Sequence, residues 1–217
     1  MDFVSARRTM VDCQVRPNDV TDFRLVSAFL SIPREEFVPA SKRGLAYSEQ
    51  EILTSEGRAL WAPRDFSKLL KALSPHESDI ALIIGAGAGY EAAVFGLIIE
   101  TVIGLEDQEE YVEATTERLS GLNIDRAIIV EGALDKGLAD QAPFDIIYIN
   151  GMVEEVPQAW FEQLAEGGRL GVVVQTEPGL GQARVYIRSG GHVSYRAIFE
   201  ACPPVLPGFE RKKTFSF

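Results

Sequence analysis

The sequence predicts an α/β fold on a doubly wound, mostly parallel sheet, with an N-terminal helical cap and an antiparallel C-terminal hairpin. Three observations predict it. Short apolar runs alternate with helix-like segments across short connections, the pattern of right-handed crossovers. The first run, Ile80–Ile84, opens directly into Gly85-Ala86-Gly87-Ala88-Gly89. Near the end, residues 184–188 and 193–197 alternate polar and apolar around Ser189-Gly190-Gly191, a hairpin signature. The 217 residues suit one domain. Within it, 1–75 form a helical cap and loop, 76–175 the sheet core, and 176–217 the hairpin and tail.

The elements follow in order. Val20, Phe23, Val26 and Leu30 recur at three- and four-residue spacing and predict one apolar helix face. Asn18 or Thr21 is placed to cap it. Ser31-Ile32-Pro33 ends it, because proline disfavours helix at the preceding residue. Pro33 to Pro39 reads as a short turn, and 51–63, which has no clear period, as a loop. Phe66, Leu69, Leu70 and Leu73 predict a helix over 65–73. The run at 80–84 is apolar throughout, which suits a strand buried on both faces. Helix is expected over 90–99, 111–119 and 160–164. Strands are expected over 101–105, ending at Glu106, then over 127–130, 144–149 and 170–174. Asn150 follows the 144–149 strand.

Composition removes several classes of function. The net charge is −11, and phosphate binding needs a basic face. The dense basic spots, Arg7-Arg8 and Arg211-Lys212-Lys213, lie near the ends. No apolar run approaches the roughly 18 residues of a membrane span, and no apolar segment follows Arg7-Arg8 as a secretory signal requires. The expectation is a cytoplasmic protein with neither a nucleic-acid nor a membrane partner. Cys13 and Cys202 read as structural thiols in a reducing compartment. His76 and His192 look like loop residues, so neither a metal site nor a histidine-dependent triad is expected.

The candidate chemistry lies at the glycine turn. Glycine lets the chain turn sharply and lets a ligand approach the backbone, and the following helix offers free N–H groups. Gly85, Gly87 and Gly89 are followed by Tyr90 where a dinucleotide fingerprint wants its last glycine. The spacing therefore favours an adenosyl ligand without a pyrophosphate; a tight turn that binds nothing remains the alternative. Glu106, 21 residues after Gly85, stands where an acid accepts the ribose hydroxyls of a nucleoside. The alternative is a capping acid for the next helix, since Asp107, Glu109 and Glu110 follow and favour a helix N-terminus. Asn150-Gly151 stands where ligands bind in open α/β sheets. Tyr47 and Tyr90 could pack or line the site, and Trp160 reads as core.

The stretch from Ala81 to Val94, with its three glycines and Tyr90, resembles motif I of S-adenosylmethionine (SAM)-dependent methyltransferases, in particular the protein-L-isoaspartate O-methyltransferase family. Met10-Val11 with Gln14, Val20 and Asp22, the segment Ile32 to Pro39, and Ala46-Tyr47 resemble the family's N-terminal region in order and spacing. Ala142-Pro143-Phe144-Asp145 and the segment Gln163 to Leu170 match before the later strands. The resemblance covers most of residues 8 to 175. It implies a Rossmann-like methyltransferase fold, with SAM as methyl donor and S-adenosylhomocysteine as product. The implied partner is a protein or peptide substrate bearing an isoaspartyl carboxylate. It places Gly85, Gly87, Gly89, Tyr90, Glu106, Gly132, Ala133 and Asn150 at the cofactor, and Arg58, Leu60 and Arg64 at the substrate.

The departures are sharp. The family's active-site loop carries Thr-Ile-Ser-Gln-Pro; here it reads Ala59-Leu60-Trp61-Ala62-Pro63. The catalytic-loop threonine falls on Ala59, and the serine that helps seat the substrate carboxylate falls on Trp61. The acid of motif I is Ile83. The Asp that reaches the adenine amino group falls on Ala133, with Asp135 nearby. Pro207-Gly208-Phe209 resembles a diverged bacterial group within the family. Methyl transfer to a carboxylate needs alignment and desolvation more than a general base, so losing the serine removes positioning hydrogen bonds, not a proton acceptor. Arg58 or Arg64 could grip a carboxylate bidentately. Trp61 is expected to face the cleft beside the transferred methyl. A weakly binding, non-catalytic relative and a carboxyl methyltransferase with another substrate are the alternatives; a nicotinamide oxidoreductase is disfavoured by the glycine spacing.

Overall fold

The computed structural model describes residues 2–55 and 57–210. The basic spot at 211–213 lies outside the described residues. One seven-stranded sheet organises the molecule. Its strands are β3 (Ile80–Ile84), β4 (Thr101–Glu106), β5 (Ala127–Glu131), β6 (Phe144–Val153), β7 (Leu164–Glu177), β8 (Leu180–Ser189) and β9 (His192–Ala201), in the order β5-β4-β3-β6-β7-β8-β9. The first five of that order run parallel, and β8 and β9 add antiparallel. This is the expected doubly wound sheet with its C-terminal hairpin. The order reverses between β3 and β6, which is where such sheets open a ligand crevice beyond their carboxyl ends.

Strand β3 shows why the core sits where it does. Successive side chains of a strand point to opposite faces. Ala81 and Ile83 join the core on one face, and Leu82 and Ile84 join the core on the other. Both faces must therefore be apolar, which gives the unbroken run in the sequence. The first core receives α2 (Phe23–Ser31), α3 (Pro63–Leu73) and α4 (Tyr90–Gly96). The second receives α6 (Gln158–Glu162) through Trp160, whose indole N–H donates to the Leu134 carbonyl at 2.8 Å. The chain begins with α1 (Phe3–Met10), and α5 (Glu109–Gly121) links β4 to β5.

Several elements differ from the sequence reading. Residues 51–63 are not a plain loop: β1 (Ile52–Ser55) and β2 (Arg58–Leu60) form a small antiparallel hairpin. Strands of three and four residues are too short to show a period. The apolar face of α2 is also different. Asp22 caps the helix, accepting the Arg24 N–H at 2.8 Å. Leu25, Val26, Ala28 and Phe29 then point inward, while Phe23 is 82% exposed. Val20 is buried but precedes the helix. Helix α4 stops at Gly96, not at 99, and α6 at Glu162, because β7 already begins at Leu164. His192 opens β9, and neither cysteine packs in the core: both are exposed and free. No helix among the described residues is long and apolar enough to cross a membrane.

A strap formed by residues 204–209 closes the far end of β6. The Met152 N–H donates to the Pro204 carbonyl at 3.0 Å, and the Leu206 N–H returns to the Met152 carbonyl at 2.9 Å. The Glu154 N–H donates to the Phe209 carbonyl at 3.2 Å, and the Phe209 ring lies 5.3 Å from that of Trp160.

Candidate active site

The glycine turn joins β3 to α4 at the switch point. Gly87 and Gly89 hold φ of +55° and +90°, the left-handed region that favours glycine. A Cβ at Gly89 would run into the Thr115 methyl of α5, and the Thr115 hydroxyl donates to the Gly87 carbonyl at 2.7 Å. The turn is thereby pinned to α5 from outside. The Gly85 N–H donates to the Leu105 carbonyl at 3.0 Å, fixing the turn to the end of β4.

Glu106 ends β4 directly behind this turn and is fully buried. Its Oε1 accepts the Gly87 N–H at 2.5 Å and Arg58 Nε at 2.9 Å. Its Oε2 accepts Arg58 Nη2 at 2.9 Å and the Asp107 N–H at 3.2 Å. Arg58 Nη2 also reaches Asp107 Oδ1 at 2.9 Å. Arg58 does grip a carboxylate bidentately, as its chemistry suggested, but the carboxylate belongs to the protein. Hairpin β1–β2 delivers it there, with Ser55 paired opposite Arg58.

Beneath the turn lies a second group of buried polar side chains. Glu91, in the first turn of α4, is 1% exposed; its Oε2 accepts Asn150 Nδ2 at 3.3 Å. Burial pushes the Glu91 carboxyl up to about 7. Trp61 is 1% exposed and packs inward, its ring 5.8 Å from that of Tyr148. Arg34 is fully buried, donates to the Ala46 carbonyl at 2.6 Å and to the Trp61 carbonyl, and lies 4.8 Å from the centre of the Tyr90 ring. Tyr90 is core on every side; burial pushes its hydroxyl up to about 12. Burial likewise raises the Tyr148 hydroxyl and lowers Arg34. Glu91 Oε1, Asn150 Oδ1, Trp61 Nε1, Arg34 Nη1 and both tyrosine hydroxyls have no hydrogen-bond partner among the described residues.

The structure thus brings Arg58, Gly87 and Glu106 together, and Trp61, Tyr90 and Asn150 into the layer beneath. The expectation that Trp61 faces the cleft gives way to a place in the core beside Tyr148, because an indole of that size finds its contacts inward. Ala59 and Leu60 are buried with it. Arg64 points elsewhere: it pairs with its neighbour Asp65 at 2.7 Å and is 43% exposed. Gly132 donates its N–H to the Glu106 carbonyl at 2.8 Å, while Ala133 is exposed. Tyr47 accepts Arg7 Nε at 2.9 Å and donates to Glu35, away from the turn. A groove of about 260 Å³ touches Gly87 and Ala88 from the side of Tyr111 and Arg118; Arg58 and Glu106 are not among its walls. Sequence reasoning passed over Arg34 and Glu91. The signal for Arg34 was its place directly after Pro33 in the segment that resembles the family's N-terminal region; Glu91 carried none beyond following Tyr90.

Comparison with known proteins agrees with this architecture. A family model described as protein-L-isoaspartate(D-aspartate) O-methyltransferase matches residues 6–200. A protein-L-isoaspartate O-methyltransferase of Koribacter versatilis is 35% identical over 172 residues, 79% of this chain and 78% of that protein. One of Roseiflexus castenholzii is 36% identical over 188 residues, 87% and 84% of the two chains. A solved protein-L-isoaspartate O-methyltransferase superposes with a TM-score of 0.81 at 25% identity, covering 93% of this chain and 66%, about two thirds, of that one. A Plasmodium falciparum structure, described as a putative member in complex with S-adenosyl-L-homocysteine, shares the fold at TM-score 0.78 and 19% identity, covering 95% and 98%. With the family model spanning nearly the whole sheet and its cap, the chain belongs to the protein-L-isoaspartate O-methyltransferase family of SAM-dependent methyltransferases.

Proposed function

We propose that the chain transfers a methyl group from SAM to a protein or peptide carboxylate of the isoaspartyl type, leaving a methyl ester and S-adenosylhomocysteine. The observation that carries this is the family match over residues 6–200, which includes the glycine turn at the switch point and the acid ending the neighbouring strand. The acceptor carboxylate is already ionised at neutral pH, so the protein need not remove a proton. What it must supply is orientation and a dry surface. The absence of hydroxyls at Ala59 and Trp61 is compatible with that chemistry, but it removes hydrogen bonds to the acceptor worth about 1.5–3 kcal/mol each.

As the side chains are placed, they do not fit a bound nucleoside: every acceptor position of Glu106 is in use, so no carboxylate is open to ribose hydroxyls. The backbone of the turn keeps the left-handed glycine conformations that the family's motif uses, and Ala133 is exposed beside β5.

The test is transfer of labelled methyl from SAM to matched isoaspartyl and aspartyl peptides. The expected result is transfer confined to the isoaspartyl peptide, at a rate that rises when Ala59→Thr and Trp61→Ser restore the hydroxyls. No transfer by either protein to either peptide overturns the assignment.

A further inference from the structure

A carboxylate offers about four acceptor positions, and Glu106 fills its own with four N–H donors from Arg58, Gly87 and Asp107. Arg58 contributes two of the four, and its side chain is 1% exposed. It lies along the turn: a Cβ on Gly87 would sit 3.8 Å from both Cβ and Cδ of Arg58. Across the turn stands Leu206 of the strap, 3.2 Å from where a Gly85 Cβ would be and 2.5 Å from where a Gly151 Cβ would be. The crevice at the switch point is therefore furnished by the protein's own side chains.

A guanidinium and the vicinal diol of a ribose are rival donors of the same kind. Each offers two parallel hydrogens to the two oxygens of one carboxylate. Asp107 supplies a second seat for the guanidinium, since its Oδ1 already accepts Arg58 Nη2 at 2.9 Å and its side chain is 35% exposed. We propose that Arg58 is an internal competitor for the cofactor's ribose: nucleoside binding requires the guanidinium to leave Glu106 for Asp107, so hairpin β1–β2 holds the site in a self-inhibited state. This rests on the methyltransferase reading and adds its regulation. The apparent affinity of such a site is lowered by the fraction of molecules in which Glu106 is free.

The experiment is calorimetric titration of S-adenosylhomocysteine, which cannot turn over, into the full chain and into Arg58→Gln and Arg58→Lys. Arg58→Gln should bind at least tenfold tighter than the wild type. Arg58→Lys should fall between them, because an ammonium keeps the charge but lacks the planar fork that matches both oxygens in parallel. Circular dichroism checks that each variant is folded, and the lysine variant carries the test if the glutamine variant is not. A wild type that binds as tightly as the folded variants, or folded variants that bind nothing, overturns the proposal. Methyl transfer to the isoaspartyl peptide, measured beside it, separates this from the activity assignment. Tighter binding without transfer leaves the competitor standing and removes the activity. Undiminished wild-type binding with transfer does the reverse.

Discussion

Glu106, at the end of β4, and Glu91, in the first turn of α4, are both buried beside the glycine turn, yet their surroundings are opposite. Glu106 has four N–H donors and an arginine against it. Glu91 has one side-chain amide at 3.3 Å, the Arg34 charge near it, and an Oε1 with no partner among the described residues. Taking a carboxylate out of water costs several kcal/mol unless opposite charge and hydrogen bonds replace the lost hydration. Where the replacement is partial, the protonated form is favoured, and burial has pushed Glu91 up to about 7. The contrast separates two duties of the site. The layer at the crevice is electrostatically closed and admits a ligand only by exchange. The layer beneath is short of partners and answers to protons.

The largest effect should come from breaking the complete pair. Arg58→Met keeps the apolar stem but leaves Glu106 buried without its cationic partner, a loss of about 3–5 kcal/mol. Urea unfolding at pH 8 measures it. A loss under about 1 kcal/mol would mean that the Arg58 pair contributes little to holding Glu106 in the core, and the contrast with Glu91 would collapse.

A slightly smaller effect, with a distinctive pH signature, is expected from the incomplete site. The Glu91 carboxyl is raised in the fold, so the native state binds more protons than the unfolded chain between pH 4.5 and about 7. Stability is therefore fully present below pH 4.5 and is lost as pH rises through about 7, by about 3 kcal/mol in total. Glu91→Gln buries a neutral amide of the same shape and should remove that loss. The variant should match the wild type near pH 4.5 and exceed it by about 3 kcal/mol at pH 8. Glu51, also pushed up to about 7 by burial, titrates in the same window, so the difference between the two proteins is the quantity to read. Parallel curves would show that Glu91 is ionised throughout.

This contrast shows what a sequence can carry and what it cannot. The sheet was legible because strands covered on both faces must be apolar throughout, as 80–84 and 146–149 are. Glu106 was legible as a residue beside the glycine turn, because it ends the strand next to β3. What Glu106 does there was not, since its main partner is 48 residues away on a hairpin too short to show a period. The face of α2 failed for another reason. Val20, Phe23, Val26 and Leu30 satisfy helical spacing, but so do Leu25, Val26 and Phe29, and only the cap at Asp22 fixes which set points inward. Buried charges such as Arg34 and Glu91 leave no pattern, because their partners are backbone carbonyls and single side chains drawn from distant elements.

Asn150 offers a finer probe of the layer beneath. Its amide is the single side-chain hydrogen-bond donor to Glu91 among the described residues. Against a protonated acid, a hydrogen bond contributes about 0.5–1.5 kcal/mol net; against an ionised one, about 1.5–3. Asn150→Ala should therefore cost about 1 kcal/mol at pH 5 and more at pH 8. The excess should vanish in the Glu91→Gln background, where no charge develops. A double-mutant cycle at both pH values checks it. A cost independent of pH would show that the 3.3 Å contact plays no part in how Glu91 titrates.

The smallest effect belongs to Asp107, and it tests the closed layer from its edge. The Asp107 carboxylate holds Arg58 at 2.9 Å but is 35% exposed, whereas Glu106 is fully buried. Partly exposed pairs contribute about 0.2–1 kcal/mol and are screened by salt. Asp107→Asn keeps a side-chain oxygen facing Nη2 and should cost less than 1 kcal/mol at low salt, with the difference shrinking towards 1 M. Arg58→Met should lose its several kcal/mol at either ionic strength, because salt does not reach a pair that water does not reach. If Asp107→Asn costs as much as Arg58→Met, the guanidinium is held from the solvent side. The second seat would then be its principal one, and Glu106 would be freer for a ligand than its four hydrogen bonds indicate.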